Sequence, residues 1–148
     1  MFRSPKNDWY HTSKNIEDAK WRIQYHGTAG FTLQTSQTTL VLDPFVTRPT
    51  LLQTGLKPLV PNQELVHSVF PRADAVLVGH SHHDHILDAP EVCLHTGAKF
   101  IGSPDSVNVA RAAGVPEGQL LATQGREDIP VEAAIVRGVP SRHGKGYA

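Results

Sequence analysis

The chain has 148 residues, 39% hydrophobic and 19% charged, with fourteen basic and fourteen acidic side chains and a formal charge of zero. That length suits one domain with a real core rather than two, and the balance excludes a disordered polymer. No basic run marks a nucleic-acid or anionic-membrane footprint, and no apolar window approaches the length of a membrane span.

Residues 1–20 read as a polar lead-in, with some helical character over 16–20 and no apolar core for a signal peptide. A cytoplasmic location is the resulting expectation. Trp21-Arg22-Ile23-Gln24-Tyr25 then alternates apolar and polar, as a half-buried strand does. A turn over 27–30 leads to Phe31-Thr32-Leu33-Gln34-Thr35, and Thr38-Thr39-Leu40-Val41-Leu42 runs into Asp43-Pro44. Three short strands joined by tight turns predict an antiparallel meander. Pro44, Pro49, Pro58 and Pro61 make 44–62 an irregular excursion, either a plain connection or a loop shaping substrate access.

Asn62-Gln63-Glu64-Leu65-Val66 opens a short helix, on which His67 reads as a surface or turn residue. Ala75-Val76-Leu77-Val78 is a continuous apolar run, the mark of a central strand covered on both faces. Helical spacing covers 86–96, with Pro90 in a first turn or at a break. Lone Cys93, between Val92 and Leu94, reads as a buried small hydrophobe; it excludes an intrachain disulfide and a multi-thiolate zinc site. Lys99-Phe100-Ile101-Gly102 is a strand. Ser103 as N-cap, Pro104 at the first position and Asp105 in the first turn start a helix that Gly114 ends. Stretches 119–122 and 131–136 read as two further strands, giving a mixed α/β layer fold.

Between the central strand and the helix after it, His80-Ser81-His82-His83-Asp84-His85 places four histidines and one aspartate in six positions. Imidazoles rarely gather for packing, because each buried ring needs a hydrogen-bond partner. Neutral nitrogen with anionic oxygen is the donor set of a divalent cation such as zinc. His80 and His82, two apart in an extended segment, point to one side and can grip one cation. Asp84 and His85 can reach a second, and paired metals suit a shared hydroxide nucleophile. His83 should face away. The plainer alternatives are adventitious metal binding by a surface tract and a purely structural ion; the acidic Asp84 favours an open, reactive site.

His80-x-His82-x-Asp84-His85 after an apolar strand resembles the signature of the metallo-β-lactamase-fold hydrolases. Tyr25-His26-Gly27-Thr28-Ala29-Gly30-Phe31, Leu40-Val41-Leu42-Asp43-Pro44 and Gly102-Ser103-Pro104 resemble further turns of the branch holding ascorbate-6-phosphate lactonases and N-acylphosphatidylethanolamine phospholipases. The resemblance covers roughly 21–145 in the family's order. It implies that His80, His82 and His143 bind a first metal and that Asp84 and His85 contribute to a second, with Asp84 also holding the attacking hydroxide. Asp43 corresponds to a carboxylate that orients ligands. His26 either faces the site or satisfies its own turn.

The implied fold is an αββα sandwich of two similar halves, of which 21–148 hold the N-terminal one. The bridging aspartate and last histidine of the pattern have no convincing counterpart, since Asp88, Asp105, Asp128 and His95 do not fit. The expectation is therefore a truncated, zinc-type dinuclear hydrolase, with manganese or iron as other metals, acting on a lactone, ester or phosphodiester small molecule. The competing expectations are a non-catalytic metal-binding module and a half-site completed by another chain. An apolar sheet face without its partner layer would promote self-association.

Overall fold

A computed structural model describes residues 20–56 and 58–140. The antiparallel meander forms as the alternation requires: β1 (Arg22–Gly27), β2 (Gly30–Gln34) and β3 (Thr39–Leu42), with Ile23 opposite Leu33 and Leu33 opposite Leu40. Three parallel strands extend it, β4 (Ala75–Val78), β5 (Lys99–Gly102) and β6 (Leu120–Ala122), so the six strands lie in chain order. Each parallel step needs a crossover. These carry α1 (Leu51–Leu56) and α2 (Gln63–Val69), then α3 (His83–Ile86) and α4 (Ala89–Thr96), then α5 (Pro104–Ala112) and a 3-10 turn at Glu117–Gln119.

Period-two alternation divides the sheet into two faces. Val41, Val76, Val78 and Phe100 pack against Val66, Val92, Cys93, Val107 and Ala110 of the helices. Cys93 is fully buried among these residues, as a small core hydrophobe, and that burial pushes its thiol up to about 12. Leu40, Ala75 and Ile101 point the other way, onto Ile129 and Val131. Those two belong to a separate hairpin, β7 (Asp128–Val131) and β8 (Ala134–Arg137). The single strand expected over 131–136 is thus two, reversing at Glu132–Ala133 with Glu132 at φ 48°. Ala133 N–H donates to Thr38 Oγ1 at 3.1 Å, and this bond seats the hairpin on the β2–β3 turn.

The hairpin leaves the β1 end of that face open. Trp21, Ile23 and Tyr25 remain about half or more exposed on and beside β1. The excursion over 44–62 is also more regular than expected, because α1 is started by a capping box: Gln53 N–H donates to Thr50 Oγ1, and Thr50 N–H donates to Gln53 Oε1. The helix expected over 86–96 is two helices separated by Leu87 and Asp88, with Pro90 in the first turn of α4. Ser103 caps α5 through the Ser106 N–H, as its sequence requires. Among the described residues, no helix is long and apolar enough to cross a membrane.

Candidate metal centre

The histidine-rich segment leaves the C-terminal end of β4, where open α/β sheets place their ligands. Gly79 comes first. Its N–H donates to Asp43 Oδ1 at 2.7 Å, and a Cβ there would lie 3.3 Å from Asp43 Oδ2, so glycine allows the close approach. Asp43 adopts φ 41°, a left-handed conformation a non-glycine residue holds only when its surroundings impose it. His82 is extended and precedes α3, which supplies His83, Asp84 and His85.

The rings of His80 and His82 lie 4.5 Å apart, and those of His80 and His85 3.9 Å apart. His85 Nδ1 is 3.1 Å from Asp43 Oδ2, and His85 Nε2 is 3.7 Å from Asp84 Oδ2. The first contact is too poorly aligned for a hydrogen bond, so a buried ring nitrogen has no hydrogen-bond partner. His83 is exposed, its ring 5.9 Å edge-on from Phe45. His26 is buried; its Nε2 lies 2.7 Å from Thr32 Oγ1 and its ring meets Phe70 edge-on at 4.9 Å. Burial, and then the positive charge of Arg48, pushes the His26 pKa down. His143 lies outside the described residues.

Three imidazoles and two carboxylates of the right chemical type therefore meet at one strand end, beside a buried nitrogen lacking a partner. That set fits a divalent cation in donor chemistry. Among the described residues, no group of three such side chains has its donor atoms already arranged to hold a metal ion.

Two features escaped the sequence. Asp88 is fully buried and accepts hydrogen bonds from Val46 N–H, Thr47 N–H and the Thr47 hydroxyl. His67 is not a simple surface residue: its Nε2 lies 2.7 Å from Glu91 Oε1 and its ring stacks on His95 at 3.9 Å. The Glu91-to-His95 spacing of four on one helix was the available signal for the second.

Residues 22–146 match the beta-lactamase superfamily domain. The chain belongs to the metallo-β-lactamase-fold superfamily. It is 32% identical over 130 residues to a UPF0173 metal-dependent hydrolase of Anaeromyxobacter dehalogenans, covering 85% of this chain and 44% of that one. A UPF0173 metal-dependent hydrolase of Pyrobaculum arsenaticum is 29% identical over 100 residues, 68% of this chain and 40% of its own. The chain thus spans less than half the length of these relatives. A metallo hydrolase from Ignicoccus hospitalis superposes with TM-score 0.54 at 23% identity, over 74% of this chain and 42% of that one. A mutant of the CmlA beta-hydroxylase superposes with TM-score 0.58 at 19% identity, over 82% and 24%. Both likenesses concern the fold alone, and a hydrolase and a hydroxylase on one fold show why chemistry must be argued from the site.

Proposed function

We propose that this chain is the metal-loop part of a metal-dependent hydrolase, with His80, His82, Asp84, His85 and His143 as ligands and two zinc ions as the natural complement. The crowding of the His82 and His85 rings within 4.5 Å of the His80 ring, beside Asp43, carries the reading. When bound, such ions supply a water ionised near neutral pH and positive charge for a developing oxyanion.

The chain's own residues do the rest. Asp43 Oδ2 lies 3.1 Å from His85 Nδ1 and occupies that side of the ring with negative charge, which leaves Nε2 as the ligating nitrogen. Asp84, partly exposed, offers the carboxylate that orients a water and takes its proton. His26, its ring held by Thr32 and Phe70, accepts through its backbone carbonyl from the Arg48 guanidinium at the end of the Asp43 loop. The branch resemblance favours a lactone, ester or phosphodiester as substrate. The exposed Trp21, Ile23 and Tyr25 stripe is the surface through which copies would associate.

The test is metal content per chain together with oligomeric state, for the natural sequence and for Asp84→Ala, followed by turnover on lactone, ester and phosphodiester panels. Bound zinc, with turnover lost in Asp84→Ala far beyond any loss of stability, is expected. Metal retained with a stability loss alone would favour the non-catalytic module, and no retained metal would sink the reading. Two ions per chain only in a defined oligomer would assign the remaining donors to a second copy.

A further inference from the structure

The segment that leaves Asp43 is held in an unusual way. Asp43 at φ 41° and Arg48 at φ 42° both occupy the left-handed region, and they bracket residues 44–47. Neither is glycine, so each conformation persists only if the surroundings enforce it. The enforcing contact lies forty-one positions along the chain from Thr47. Asp88 Oδ2 accepts the Val46 N–H at 2.6 Å and the Thr47 N–H at 2.9 Å, and Oδ1 accepts the Thr47 hydroxyl. Burying a carboxylate completely is costly unless donors replace its water, and these three donors do so.

Asp88 is also fastened at its own position. It lies two residues beyond the end of α3, and its carbonyl accepts the Val92 N–H that opens α4. Thr47 Oγ1 in turn accepts the Asn62 N–H next to α2. One side chain therefore ties the helix carrying Asp84 and His85 to the loop carrying Asp43.

We propose that Asp88 is a positioning residue for the metal centre, setting the Asp43 carboxylate against His85 and Gly79 by clamping the strained loop at Val46 and Thr47. The proposal rests on the metal-site reading above, and two readouts separate their failures. Amide exchange at Gly79, whose N–H is held by Asp43, needs no metal. Co²⁺ titration reports affinity and, through its visible spectrum, ligand geometry.

Asp88→Ala is expected to speed Gly79 exchange and to weaken Co²⁺ binding about tenfold or more, with a changed spectrum. Asp88→Asn, which keeps an acceptor for both amides, should restore most of each. Thr47→Val removes the hydroxyl's bonds to Asp88 and Asn62 but keeps both amide donors to Asp88, and should give about a threefold loss in the same direction; it also serves if Asp88→Ala does not fold. Val92→Ala, a buried core change in α4, should lower stability with Gly79 exchange below global unfolding and Co²⁺ affinity unchanged. If Asp88→Ala behaves like Val92→Ala, or if Thr47→Val matches the natural chain in both readouts, the positioning role is overturned. A natural chain that binds no Co²⁺ overturns the metal reading instead, and Gly79 exchange still decides the role of Asp88.

Discussion

Among the described residues, two groups of histidines lie close together, and they differ in almost everything else. His67 and His95 stack nearly flat, 3.9 Å apart and 12° from parallel, on two regular helices. Glu91 beside them has both oxygens occupied, one by His67 and one by Gln63. The His80 ring lies 4.5 Å from that of His82 and 3.9 Å from that of His85, but these rings are tilted or edge-on and sit on the loop and short helix beyond a strand end. Their neighbouring carboxylate, Asp43, comes from a strained position and faces a buried nitrogen that it does not satisfy. The first group is a satisfied helix–helix contact. The second gathers nitrogen and carboxylate donors beside one buried nitrogen, His85 Nδ1, that has no hydrogen-bond partner, so proximity of imidazoles is not what marks a site.

The sharpest way to break this contrast is to remove one ring from each group. His82→Ala should lower zinc affinity by about a hundredfold or more, measured by competition with a chromophoric chelator. Equal affinities for the variant and the natural chain would erase the distinction. Asp43→Ala comes next, with an expected loss of roughly ten- to a hundredfold in the same assay, because His85 loses the group that orients it. It should also release the Gly79 amide to exchange.

His67→Ala should instead cost only about 0.5–1 kcal/mol of stability in urea unfolding and leave zinc affinity within about twofold. A large loss of affinity there would mean that the helix pair belongs to the site. The smallest effect concerns His26, whose pKa lies below its unfolded value near 6.5 through burial and the nearby Arg48. The unfolded chain then binds the proton that the folded chain refuses. Its contribution to stability is present above about 6.5 and is lost as pH falls through that value toward the folded pKa. Urea midpoints of the metal-free chain at pH 7.5 and 5.5 should therefore fall with acid. His26→Gln should fall less, and an equal fall would refute the assignment.

Much of the architecture was legible because it follows from local chemistry. The alternation of Leu40, Val41 and Leu42 assigns two residues to one face and one to the other wherever the strand packs. Ser103 and Pro104 start α5 with their own atoms. The Thr50-to-Gln53 capping box was equally local and was obscured by the prolines around it. The β7–β8 hairpin was harder to see: its reversal at Glu132–Ala133 contains none of the glycine, asparagine or aspartate residues that usually announce such a turn.

By itself, the sequence determined the strand and helix periods, the chemical type of the donors and their delivery at the end of an apolar strand. These depend on neighbours a few positions apart. The tertiary structure decided that Asp43 faces His85, that Asp88 holds the 44–48 loop and that Glu91 quiets His67. Those partners are separated by more than twenty positions, and only the folded sheet and its crossovers bring them within reach.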